Sequence, residues 1–305
     1  MVAHCTGSGP YCYANSPATL LDDPGFPPDL LEVLTGSPFG FQLLAGGRPE
    51  FDPYGGDPGI GIDRALAAAG CTCRSTSGGT AEQAERRLRD AVAPGPVFVG
   101  PVEMGLFAHQ PGMTEPIAGD HFVVVLDVDD TVVTFRDPQW CPYATLPVPR
   151  FLATWRAETI GYGRSYSLRA DFRRAESIDP VEAVRGSGPW ARELLACHGE
   201  PEVRAGTLGS GAGVSATADL LAAGPDPELL GHLRHFAVRV GARRLSDAAR
   251  WLDRAGLPEA SSIAAEQSRL VGRLQYDVTA GDPADAAATL RRLAPGYARW
   301  HDALA

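Results

Sequence analysis

At 305 residues, with 44% hydrophobic and 21% charged side chains, 5 Trp, 8 Tyr and 11 Phe, the chain has the length of about two domains and the composition of a globular protein rather than a disordered one. All 27 basic residues are arginine, so mechanisms built on a Schiff-base, P-loop or general-base lysine are excluded. A net charge of -10 with no Arg-rich tail argues against nucleic acid or an anionic membrane as the main partner.

No run approaches the roughly 18 apolar residues of a membrane span, and the opening MVAHCTGSGPYC lacks a basic segment followed by an apolar one. A cytoplasmic protein is therefore expected. Its six cysteines are read as thiols of a reducing compartment, one of which reacts.

In chain order, a first helix is expected after Cys12 over YANSPATLLDD, with Pro17 near its start, and a short one over 29–34. Residues 35–59 carry Phe39, Phe41, Phe51 and Tyr54 among Gly and Pro and are read as a structured loop over a site. A helix over 60–69 ends at Gly70. Another begins after Gly79, where Thr80 and Gln83 have capping-box spacing. Strands are expected over 96–102, 121–128 and 131–135, the last two joined by an Asp129-Asp130 turn. A helix around 151–156 and a strand SYSLRADF complete an α+β domain over 1–175. Residues 176–305 read as mainly helical, with segments at 189–198, 226–244, 246–255, 259–276 and 284–304; GTLGSGAGVSA (206–216) is expected to be a flexible or lid-like loop.

Three residues stand where a thiol nucleophile needs them. Cys12 precedes a helix, whose terminal N–H groups and dipole favour a thiolate. His121 opens a core strand, and Asp137 follows it by 16 positions across the hairpin, which returns both strand ends to one edge. A carboxylate there would fix the imidazole tautomer while the other ring nitrogen faces the thiol. Cys5, beside His4, competes for the nucleophile's role but is separated from the helix by Gly7, Ser8, Gly9 and Pro10. Glu103 ends the first core strand, placed either to bind an amine or as a surface carboxylate, and Trp140 and Tyr143 either wall the same cleft or pack in the core. Cys71 and Cys73 alternate along a short strand without further ligands, and His232 and His235 lack a third, so no metal site is expected.

The segments YCYANSPATLL, GSPFGF, VFVGPVEMG and HFVVVLDVDDTVVTFRDP resemble the N-terminal domain of the butirosin biosynthesis protein H family, itself similar to the papain-like fold of double-glycine-leader (C39) peptidases. The resemblance covers roughly residues 4–170. It implies a papain-like (C39-like) domain that moves an acyl group from the phosphopantetheine thioester of an acyl carrier protein to an amine-bearing small molecule in natural-product biosynthesis. Carried over, it makes Cys12 the acylated nucleophile, His121 the base and Asp137 its orienter. The oxyanion glutamine usual upstream of a papain-like nucleophile is absent from HCTGSGPY, which leaves the Cys12 N–H and either Asn15 or the His4 ring as donors, with Phe41 in the sheltering loop. An acidic carrier would need a local arginine patch, for which Arg74 and Arg136 are the candidates. Hydrolysis of a thioester or peptide and a non-catalytic binding module are the alternatives.

Overall fold

The computed structural model describes residues 10–53, 57–139, 141–196 and 205–305. The chain runs α1 (Cys12–Leu21), α2 (Pro28–Leu34), β1 (Gln42–Leu44), β2 (Arg48–Glu50), α3 (Pro58–Ala68), β3 (Cys71–Thr76), α4 (Ala81–Val92) and β4 (Val97–Glu103). A 3-10 turn at Met104–Leu106 leads to β5 (Asp120–Val128), β6 (Val132–Asp137), β7 (Cys141–Pro147), α5 (Val148–Trp155) and β8 (Leu168–Arg174). There follow α6 (Pro180–Gly186), α7 (Gly188–Ala196), β9 (Leu208–Gly209), α8 (Ser210–Ala222) and α9 (Pro227–His232). After a π turn at Leu233–Ala237 come α10 (Val238–Arg254), α11 (Pro258–Ala280), α12 (Pro283–Leu293) and α13 (Pro295–Ala303). The protein is thus a mixed α+β chain whose C-terminal region, α9–α13, is helical throughout. Among the described residues no helix is long and apolar enough to cross a membrane.

Two units divide the chain: residues 1–31 with 69–177, and residues 32–68 with 178–305. This differs from the two contiguous stretches expected, because residues 32–68 group with the C-terminal helices.

The first unit is built on an antiparallel sheet in the order β3-β8-β4-β5-β6-β7. Its central strand β5 is apolar on both sides, since alternate residues meet different layers. Val123 and Val125 join Val97, Val99, Phe135 and the α4 and α5 side chains Leu88, Phe151 and Trp155 in one core. Phe122 points the other way, its ring 5.5 Å from that of Phe98 and edge-on to Tyr13 of α1 at 6.0 Å. The expected capping box opens α4, with Thr80 accepting from Gln83 N and Gln83 reaching back to Thr80 N. Strand β7 was not anticipated, because Pro142 breaks a strand pattern; as the sheet's edge it needs no donor from that residue.

In the second unit β1 pairs with β2 and β9. The segment expected as a loop over a site supplies these strands and core aromatics instead. Phe39 packs on Trp300 at 5.0 Å and Phe41 meets Phe51 edge-on at 5.0 Å, all four rings buried. Beside them the guanidinium of Arg244, 5% exposed, donates to Glu32 Oε1 at 2.6 Å and to Phe51 O at 2.7 Å. The glycine-rich stretch at 206–216 is no lid: it forms β9 and the start of α8. A Cβ at Gly211 would stand 2.7 Å from Ala294 O, so the glycine is there for close packing.

Candidate active site

Cys12 is the first residue of α1 and is buried, with 7% of its surface exposed. The helix is seated on β5 by Ser16, whose hydroxyl donates to Phe122 O at 3.2 Å, one turn beyond Cys12. Further along, Thr19 and Leu20 share a cavity with Val124 and Leu126. Helix and strand therefore run in the same direction, and the Cys12 end of α1 lies at the same edge of the sheet as the first residues of β5. Cys12 and His121 are on different faces there: α1 packs on the side of Phe122, whereas His121 shares the opposite side with Val123, Val125 and Phe107, and its Nδ1 makes no hydrogen bond to Cys12.

The β5–β6 hairpin sets the partner of His121. Its turn spans residues 129–131, one more than the two expected. Asp129 Oδ1 accepts from Thr131 N at 2.7 Å and from Thr131 Oγ1 and Val132 N at 2.8 Å. Those bonds hold the Asp129 carboxyl below its ordinary pKa and fix where β6 begins. The strand then brings Asp137 back beside the start of β5, where His121 Nε2 donates to Asp137 Oδ1 at 2.8 Å.

A second imidazole, for which the sequence holds no motif, joins the pair. His109 Nε2 and Gln110 Nε2 both donate to Asp137 Oδ2 at 2.8 Å, and Gln139 N donates to Oδ1 at 2.7 Å. Burial alone would raise the Asp137 pKa; the bonds from His109, His121 and Gln139 outweigh it and hold the carboxyl well below the usual range. Phe107 lies edge-on to His109 at 5.0 Å and to His121 at 5.8 Å, and Phe135 to His109 at 5.1 Å. With both Nε2 atoms committed as donors, the Nδ1 atoms of His121 and His109 are left buried with no hydrogen-bond partner among the described residues. A neutral imidazole in that tautomer presents Nδ1 as a proton acceptor. The signal for His109 was faint: one histidine in a Gln-Pro-Gly turn, 28 residues from its partner.

The other candidates fall out differently. Asn15, one turn after Cys12, is 1% exposed, and its Nδ2 has no hydrogen-bond partner among the described residues. Glu103 is not available to an amine. Buried at the end of β4, it accepts from Gly105 N at 3.1 Å, Ile117 N at 3.0 Å and the Thr159 hydroxyl, tying down the connection to β5. Phe41 belongs to the second unit's core, and Tyr143 is 61% exposed on β7. Arg136 is buried at 6% exposure and is no part of a surface patch; Arg74 pairs with Asp171 at 2.8 Å. His4, Cys5, Tyr54, Trp140 and Cys197 lie outside the described residues.

Cys71, at the start of the edge strand β3, has its thiol pushed up by burial, and Cys73 stands two residues along the same strand. No group of three or more His, Cys, Asp or Glu placed to hold a metal occurs among the described residues.

The chain also has relatives of known sequence. Residues 204–305 match the family model of the YobF C-terminal domain. Over 271 residues, covering 87% of this chain and 86% of the other, the protein is 26% identical to one described as uncharacterized protein YobF from Bacillus subtilis (strain 168). That similarity runs through both the α+β part and the helical C-terminal region.

Proposed function

We propose that the protein is a papain-like (C39-like) cysteine acyltransferase that forms an amide from an acyl thioester through Cys12. The observation that carries this reading is the buried His121–Asp137 pair at the sheet edge where α1 begins; the reading requires the Cys12 thiol to reach His121 Nδ1 around that edge.

In this mechanism His121 Nδ1 takes the Cys12 proton, and the thiolate attacks the thioester carbonyl. The Cys12 N–H and the Asn15 amide are the donors for the oxyanion. Collapse of the adduct breaks the donor's C–S bond, and its thiolate leaves with the proton held by His121. An amine then attacks the acyl-enzyme and gives its proton to His121 Nδ1; the C–S bond to Cys12 breaks, and the proton returns to the departing thiolate. Asp137 stays ionised throughout, holding the Nε2–H tautomer. His109 and Gln110 act as positioning residues, each fixing the second carboxylate oxygen.

The donor is a carrier-protein phosphopantetheine thioester and the acceptor an amine-bearing small molecule, in cytoplasmic natural-product biosynthesis. A depression of about 350 Å³ brings Arg74, Arg86 and Arg87 together, with Asp90 also in its lining and Arg74 paired with Asp171, so an acidic carrier would meet a partly neutralised arginine cluster there. The test is intact-mass analysis after incubation with carrier-bound acyl thioesters: the acyl mass should appear on the wild type and never on Cys12→Ala.

Hydrolysis of a thioester or peptide is the second reading. It gains from the burial of Phe41 in the second unit, which removes the sequence argument for a loop that excludes water. Titrating amines against the loaded enzyme separates the two, because free acid falls as amide rises only if an amine competes for the acyl-enzyme. If Cys12 never loads, a non-catalytic binding module takes first place.

A further inference from the structure

Arg136 is the residue the proposed chemistry leaves unexplained. It stands on β6 between Phe135 and Asp137, and as the partner of Val124 in β5 it faces the α1 side of the sheet, away from the imidazoles. Only 6% of its surface is exposed, its Nε is buried without a hydrogen-bond partner, and no ion pair or hydrogen bond to its guanidinium occurs among the described residues. The face of Tyr143 lies 6.0 Å from the guanidinium carbon, at the outer limit of a cation–π contact. The buried Nε goes unmet, while the terminal nitrogens open onto the cavity beside it, where an anion can reach the guanidinium.

The guanidinium lines a cavity of about 610 Å³ within the first unit. That is the size of a small-molecule site. Leu20, Val124, Leu126 and Phe172 make its walls largely apolar, and among the described residues the carboxylates lining it are Asp22 and Asp171, both exposed. Asp171 is already paired with Arg74.

We propose that this cavity binds a small organic carboxylate with an apolar body, the carboxylate lying bidentate on Arg136 and the body between α1 and the sheet. A planar monoanion matches the single guanidinium fork. A phosphate dianion would meet one cation and two carboxylates. The site is separate from Cys12 and does not depend on the acyl-transfer reading.

The test is calorimetric titration of the full chain with sodium phenylacetate and, at matched ionic strength, with inorganic phosphate. Saturable phenylacetate binding is expected, weakened about tenfold or more in Arg136→Met. Should Arg136→Met fail to fold, Arg136→Lys keeps the charge and loses the fork, and should still weaken phenylacetate. Phenylacetate affinity unchanged in the variant, no saturable phenylacetate binding, or phosphate binding as tightly as phenylacetate would each overturn the proposal.

Discussion

His109 donates from Nε2 to Oδ2 of Asp137 at 2.8 Å, the counterpart of the bond His121 makes to Oδ1 at the same distance. One buried carboxylate thus holds two imidazoles in the same tautomer. If His121 is the base, His109 acts on it only through Asp137. Replacing His109 with Phe should slow acyl loading of Cys12 by about tenfold while leaving the donor's KM unchanged. His109→Gln, which keeps an amide donor, should recover most of the rate. Stopped-flow or quenched mass-spectrometric loading curves measure both.

The depressed Asp137 pKa has a consequence for acid stability. The folded carboxyl titrates below its unfolded value, so the stabilisation it contributes is complete above roughly pH 4 and is lost as pH falls through the folded value. Asp137→Asn turns an amide N–H toward donors and should cost about 2–3 kcal/mol near neutrality. Urea unfolding of wild type and variant should show that gap narrowing as the pH is taken below about 4. A gap constant across that range would refute the role given to the carboxylate's ionisation.

Thiol reactivity offers a direct comparison. Burial pushes the Cys71 thiol up, which slows its alkylation, whereas a Cys12 activated by His121 should react first despite its 7% exposure. Peptide mapping after limiting iodoacetamide should find Cys12 labelled ahead of Cys71, Cys73 and Cys141, and His121→Ala should abolish that lead. Labelling of Cys5 first, with activity lost in parallel, would move the nucleophile.

Glu103 separates a structural carboxylate from an amine site. Its oxygens already accept from Gly105, Ile117 and Thr159, so Glu103→Gln places an amide N–H against those donors and should destabilise the fold by about 1–3 kcal/mol. The KM for the amine acceptor should not change, and steady-state kinetics at a temperature where the variant is folded checks it.

In the second unit, Arg244 bridges Glu32 at 2.6 Å and Asp52 at 3.2 Å. Arg244→Met leaves buried carboxylate without its cation and should cost about 3–5 kcal/mol, read as a lowered midpoint in urea.

Local chemistry made much of this legible in the sequence. The Thr80–Gln83 box, the two-sided apolar run of β5 and the Asp129 turn act over a few residues, so their types and spacing determined a helix start, a buried strand and a hairpin, and with the hairpin the return of Asp137 to His121. Tertiary contact alone decided the rest. His109 lies in the irregular segment before β5, for which no periodicity exists to be read, and it reaches Asp137 28 positions on only because the sheet folds back past it. Phe39, Phe41 and Phe51 look the same in sequence whether they line a cleft or fill a core; they fill one because residues 32–68 fold with the C-terminal helices. The glycines at 206–216 suggested mobility, yet Gly211 is small because Ala294 O leaves room for nothing larger. Arg136 reads as one more surface cation until the fold buries it, since burial belongs to the packed sheet and helix and not to the residue.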